Sequence, residues 1–191
     1  SANDAGEIDR ILTAEFSEAR RVAEGDAMQD ILDRARIIGG EQGFLIGVRI
    51  LTGSISAGEA GAAYALVAER MVSALLAEVT RELEREHGKV PGGGAAVIAM
   101  GKLGGHEMTA SSDIDLILLY DYEDGAQQSD GARPLAPSHY YSRLTQRLVT
   151  ALSAPTAQGT LYEVDMRLRP SGQKGPMATK LSGFIAYQTT E

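Results

Sequence analysis

The sequence contains no cysteine and no tryptophan, and aromatic residues make up only 5% of its 191 positions. Without thiols it has no disulfide framework, no thiolate metal site and no cysteine nucleophile, and it suits a reducing, cytoplasmic setting. So few aromatics leave little with which to stack nucleobases. Basic residues are also scarce, 18 Lys and Arg against 26 Asp and Glu, for a formal net charge of −8. A general basic field for nucleic acid is therefore missing. No apolar run approaches the roughly 20 residues of a membrane span, and no charged-then-apolar leader opens the chain. Nucleic acid and membranes are thus not expected as partners. G-x-S-x-G and H-E-x-x-H are absent too, so serine-hydrolase and zinc-protease chemistry lack support. His87, His106 and His139 show no ligand spacing and are assigned to packing or surface roles.

What is present is globular in proportion, 43% hydrophobic and 23% charged, and long enough to bury a core as one domain or as a small domain with a helical companion. Residues 1–90 are expected to form a helical region. Ile8, Ile11, Leu12, Ala19 and Val22 recur at helical spacing, with Gly25 as a stop. Asp26 and Gln29 resemble a capping box for a second helix carrying Met28, Ile31, Leu32 and Ala35, interrupted at Gly39, Gly40 and Gly43. Residues 44–51 fit helix or strand and are taken as helix from their neighbours. Ser56 and Glu59 open a long helix that stops at Gly88, with Ala60, Ala63, Tyr64, Val67, Met71, Ala74 and Leu75 as its inward stripe. The charge run 81–86 is taken as a solvated helix face. Pro91-Gly92-Gly93-Gly94 then reads as a linker to a second unit over residues 91–191.

Beyond it the period shortens. Residues 95–100 and 114–120 are short apolar runs typical of buried strands. Residues 122–138 form a polar loop, and 140–152 a helix with Tyr141, Leu144, Leu148 and Leu152 on one face. Residues 160–169 alternate as a strand, with Val164, Met166 and Leu168 on one side and Asp165, Arg167 and Arg169 on the other. A further helix begins near Ser182.

The informative segment is residues 101–116, G-K-L-G-G-H-E-M-T-A-S-S-D-I-D-L. Asp113 and Asp115 flank one residue at the start of an apolar strand, so both project from the same side, about 6–7 Å apart. Two carboxylates so placed repel unless a cation lies between them, and hard divalent ions such as magnesium take oxygen ligands of this kind. Asp165, on a second apolar strand, would close a three-aspartate cluster around one or two metals. Glycines at 101, 104 and 105 let backbone N–H groups approach a triphosphate, with a following helix N-terminus adding its positive end. The turn is not a Walker A loop, because Leu103 follows Lys102. Singly, each feature has an ordinary reading: a plain turn, two solvated carboxylates, or Asp165 paired with Arg143 or Arg147. Their order along these elements favours a site.

The glycine turn, D-x-D and later strand aspartate resemble the nucleotidyltransferase superfamily that includes DNA polymerase β. Gly101-Lys102-Leu103-Gly104-Gly105-His106-Glu107, Ser112-Asp113-Ile114-Asp115-Leu116 and Val164-Asp165-Met166-Arg167-Leu168-Arg169-Pro170 are similar to the signatures of the glutamine synthetase adenylyltransferase family. The resemblance implies an α+β fold, a mixed polymerase β-like sheet with flanking helices, preceded by the helical region. It also implies a catalytic unit excised from a longer, multifunctional protein, with Ser1-Ala2 foreign to it. Tyr162-Glu163, Arg169-Pro170-Ser171-Gly172 and the stretch 184–188 are more similar to the C-terminal, adenylylating unit.

By that resemblance Asp113 and Asp115 hold magnesium, with manganese as a substitute, and Asp165 completes a second metal site and assists deprotonation of the acceptor. Gly101, Lys102, Gly104, Gly105 and Ser112 hold the phosphates of ATP, with Arg167, Arg169 and Lys174 as cationic candidates for phosphate or acceptor contact or, alternatively, for salt bridges to the same aspartates. The implied reaction moves AMP from ATP to a tyrosine of glutamine synthetase, regulating nitrogen assimilation, under glutamine and a PII-type signalling protein as effectors. Two other readings stand beside it: the unit that removes AMP by phosphorolysis, and a non-catalytic module that binds glutamine or a PII-type protein. The charge is uneven as well. Residues 1–88 hold 16 acidic and 9 basic side chains, and residues 89–191 hold 10 and 9.

Overall fold

The computed structural model describes residues 5–22, 27–170 and 172–190. The expected stop at Gly25, the Asp26 cap, Ser171 and Ser1-Ala2 lie outside them. Three long helices come first, α1 (Ala5–Val22), α2 (Met28–Leu51) and α3 (Ala57–His87). The Ser56 cap is in place: the Glu59 N–H donates to Ser56 Oγ at 3.3 Å, and the Ser56 N–H to Glu59 Oε2 at 2.7 Å. Gly88, at φ 72°, ends α3.

The glycines of α2 do not interrupt it, contrary to the sequence expectation. Three of the four face neighbours, Gly39 the most closely, while Gly40 faces open space. A Cβ on Gly39 would meet Leu161 Cδ1 at 2.7 Å, and Gly43 and Gly47 face Tyr64. Close approach repays the helical cost of glycine, about 1 kcal/mol per residue. The buried stripe of α3 is wider than Ala60, Val67, Met71 and Leu75, because Ala65, Ala68, Val72, Val79 and Leu83 are buried too, while Ala63, Tyr64 and Ala74 are only partly so. The breadth follows from its position, since α3 packs against α1, α2 and α5 (Pro137–Ser153). By length and composition α3 also passes as long and apolar enough to cross a membrane, a span that the sequence reading did not find. Its apolar residues are those of a helix packed by others. The 81–86 run is only partly solvated, with Leu83 buried and Arg147 of α5 paired to Glu82 and Glu86.

Residues 91–94 form a tight turn in which Gly93 N–H donates to Val90 O at 2.9 Å. Strand β1 (Gly94–Met100) runs antiparallel to β2 (Ile114–Asp121). Along the other edge of β2, β3 (Val164–Asp165) and β4 (Ala178–Lys180) pair with it in parallel, one after the other. The sheet is therefore mixed, with β2 central and buried along nearly its whole length. Ile114, Leu116, Leu118 and Tyr120 join the core with α3 and α5. Tyr120 stacks on Tyr141 of α5, with ring centroids 4.4 Å apart. By the alternation of a strand the opposite face carries Asp115, Ile117 and Leu119. Helix α5 buries Tyr141, Leu144, Leu148 and Leu152 as the spacing predicts, and α6 (Leu181–Thr190) packs against β2 and β4.

The expected strand over 160–169 shrinks to two residues. After Asp165 the backbone turns, because the Arg167 N–H donates to the Asp165 carboxylate and the Arg169 N–H to Met166 O. Leu168 is left exposed rather than alternating inward.

Candidate active site

Asp115 stands at the crossing point of the sheet. It lies opposite Met100 on β1 and beside Asp165 on β3. Neighbouring strands are about 4.8 Å apart, so Asp115 and Asp165 share one end and one face of the sheet. Asp113 precedes β2 by one residue and is exposed at its mouth. The three predicted carboxylates thus lie together at one sheet end.

Immediately after β1, Gly101–Gly104 forms a single helical turn, α4, packed against β1, β2 and α3. The expected glycine turn is thus itself the helical turn, with no longer helix behind it. Gly101 has φ 53°, and a Cβ there would lie 2.2 Å from Asp115 Oδ2. At Gly104 the Cβ would lie 2.6 Å from Ala99 O. Gly101 brings backbone directly against the carboxylate that a side chain would push away, and Gly104 lets the turn close on the end of β1. The loop that follows is moored to α3: His106 Nε2 lies 2.9 Å from Glu69 Oε1, and Met108 is buried. Ser112 Oγ accepts the Thr109 N–H at 2.9 Å and closes the loop just before Asp113.

The electrostatics divide the aspartates. Burial first, then the charges of Asp113 and Asp165, push Asp115 above its ordinary range, against the opposing pull of Arg167 and Lys102. Asp165 goes the other way. Its Oδ1 accepts the Arg167 N–H at 2.7 Å, its Oδ2 accepts Arg167 Nε–H at 2.6 Å, and Arg167 Nη2 stands 2.5 Å from Oδ2. That side chain holds Asp165 below the usual carboxylate range. The partner of Asp165 is therefore Arg167, not Arg143 or Arg147, which lie against His87 and the Glu82–Glu86 pair. Arg169 instead braces the loop, donating to Met166 O at 2.7 Å and Gly175 O at 3.4 Å. Lys102 and Lys174 are exposed.

The donor set suits a hard divalent cation: oxygen ligands only, on adjacent strand ends, with one carboxylate charged against its surroundings. Among the described residues no three Asp, Glu or His side chains are already gathered at ligand spacing. Asp165 would have to release Arg167 to join such a set. An open cleft of about 470 Å³ lies beside Asp113, lined by Ser111, Ser112, Thr160, Leu161, Tyr162 and Glu163. A second, about 540 Å³, adjoins it through Ala110, Thr160, Leu161 and Tyr162 and runs along the glycines of α2. Sequence reasoning did not place α2 here; the spacing of Gly39, Gly43 and Gly47 at every fourth residue was the available signal.

The sequence profile of glutamate-ammonia ligase adenylyltransferase matches residues 2–191. The chain belongs to that family. It is 56% identical over 170 residues to a protein of Rhizobium meliloti named bifunctional glutamine synthetase adenylyltransferase/adenylyl-removing enzyme, covering 89% of this chain and 17% of the relative. Proteins of the same name from Brucella suis and Agrobacterium fabrum are 56% identical over 180 residues and 59% over 163, covering 93% and 85% of this chain. The chain spans less than a fifth of the length of these relatives, 18% and 16% for the latter two. The mixed sheet with its flanking helices is that of a nucleotidyltransferase-like domain of this family.

Proposed function

We propose that this unit transfers AMP from ATP to a tyrosine hydroxyl of glutamine synthetase. The observation that carries the reading is the register that sets Asp115 beside Asp165, with Asp113 and the Gly101 turn at the same end of the sheet. A divalent metal held by Asp113, Asp115 and Asp165 supplies charge neutralisation for the nucleotide phosphates, magnesium being the expected ion and manganese a substitute. The chain's own groups do the remaining work. The Gly101–Gly105 backbone and Lys102 approach the phosphates, Ser112 fixes the loop beside Asp113, and Asp165 assists deprotonation of the acceptor hydroxyl. Such catalysis is mostly positioning and charge stabilisation, not covalent work by the protein.

The catalytic unit is taken as residues 91–191, acting in the cytoplasm, with glutamine and a PII-type protein as effectors of the longer enzyme. The names of the relatives carry both attachment and removal of AMP. Similarity of Tyr162-Glu163 and Arg169-Pro170 to the adenylylating signature supports attachment here. Transfer of label from α-labelled ATP to glutamine synthetase tests this. Asp113→Asn with Asp115→Asn abolishes transfer on this reading; transfer like that of wild type by the double variant refutes it. Phosphate-dependent release of AMP without ATP-dependent attachment assigns the unit to removal instead.

A further inference from the structure

We propose that Arg167 is the resident counter-ion of the aspartate cluster, occupying Asp165 until a divalent cation displaces it. The inference rests on the metal-dependent reading above and concerns what this chain's own arginine does beforehand. Both oxygens of Asp165 are engaged by one residue, Oδ1 by the Arg167 backbone N–H and Oδ2 by its guanidinium. The Asp165 side chain is 14% exposed and that of Arg167 70%, so the guanidinium covers the carboxylate from the solvent side. Among the described residues Arg167 has no other hydrogen-bond or ion-pair partner. It can swing away without breaking a second hydrogen bond or ion pair among the described residues.

The neighbouring cations cannot take this part. Arg169 is committed to the carbonyls of Met166 and Gly175. Lys102 acts on Asp115 through its charge and, among the described residues, makes no ion pair. The charge of Arg167 also interacts with Asp113 and Asp115. One guanidinium therefore shields three carboxylates and leaves the site anionic enough to draw in a divalent ion. Once metal takes Asp165, the freed guanidinium stands at the cluster mouth, where an incoming triphosphate carries the matching charge. Metal and nucleotide then bind better together than apart, because each removes the penalty that the other would meet.

Binding of Mn²⁺ to the 191-residue chain, followed by isothermal titration with and without a non-hydrolysable ATP analogue, tests this. Arg167→Ala binds Mn²⁺ alone about 3–5-fold tighter than wild type, the scale of one exposed ion pair, and loses much of the enhancement that the analogue gives. Arg167→Lys, which keeps the charge without the forked donors, lies between them. Lys102→Ala serves as the control for simple charge removal and tightens binding by less than Arg167→Ala. Equal effects of Arg167→Ala and Lys102→Ala, or unchanged or weaker Mn²⁺ binding by Arg167→Ala, overturn the proposal. Should Arg167→Ala not fold, the Nε–H resonance of Arg167 in wild type decides: a shift or faster exchange at saturating Mg²⁺ supports displacement, and an unchanged resonance overturns it. Wild type that binds no Mn²⁺, or binds it as well with Asp113→Asn and Asp115→Asn, removes the metal-dependent reading itself.

Discussion

Gly101 and Asp115 are in contact across the junction of two strands, and the hydrogen on the Gly101 α-carbon occupies space that a methyl group would contest with Asp115 Oδ2 at 2.2 Å. Gly101→Ala adds that collision to a positive φ, itself costing about 1–2 kcal/mol for a residue with a Cβ. The variant is expected to lose at least that much stability in urea and to lose nucleotidyl transfer. Gly105, with φ −82° and Gly101 O 3.4 Å from where a Cβ would lie, provides the contrast. Gly105→Ala keeps the stability of wild type.

The Arg36 side chain ties α2 to the segment leading into β3. Buried at 4% exposure, it donates to Leu32 O and Gly159 O at 2.9 Å, to Ala151 O at 3.1 Å, and to Ala154 O. Arg36→Met fills similar volume but takes the guanidinium from the Ala151 and Ala154 carbonyls, while Gly159 O keeps the Thr156 N–H, a cost of about 3 kcal/mol. A lower urea midpoint with an unchanged slope is the expected result.

The two sheet aspartates should respond oppositely to pH. Burial and like charges raise Asp115. A carboxyl raised on folding adds stability below its unfolded value, and that contribution is lost as pH rises through the folded value. Metal-free Asp115→Asn is therefore more stable than wild type at neutral pH, by about 2 °C in Tm, and the gain vanishes in acid. Arg167 lowers Asp165, so its contribution is present above the unfolded value and lost as pH falls through the depressed one. Asp165→Asn thus lowers Tm at neutral pH and matches wild type in acid. Calorimetry between about pH 3 and pH 7 checks both slopes.

Gly40 is the one α2 glycine whose added Cβ meets nothing within 4 Å. Gly40→Ala is expected to stabilise the chain by about 0.5–1 kcal/mol through helix propensity and a less flexible unfolded state. Thermal unfolding measures it. A destabilised variant would mean that the Gly40 side of α2 is more tightly packed than the geometry shows.

Local pattern was enough to find β1, β2, the α5 face, the Ser56 cap and the Asp113-Asp115 pair, because each depends on residues close in sequence. What depended on tertiary contact was hidden. The α2 glycines look like breaks until Leu161 and Tyr64 are seen against them. Alternation predicts a ten-residue strand at 160–169, yet the Asp165 carboxylate captures the Arg167 N–H and turns the chain. Arg36 is an ordinary surface arginine by sequence and a buried clamp by structure. The neighbourhood of Asp115 and Asp165 was legible as a motif, whereas the pairing of Asp165 with Arg167 was one of several open choices.

Both β3 and β4 attach to the same edge of β2, at separate places, the chain leaving that edge after Asp165 and returning to it at Ala178. Each attachment fixes its own register. Arg167 and Arg169, just after Asp165, hold its carboxylate and the turn beside it, so the place of Asp165 against Asp115 rests on β3 and these residues rather than on the chain nearer β4. For protein engineering this separates two things that are usually entangled: the chain nearer β4 can be varied while Arg167, Arg169 and the aspartate pair stay in place.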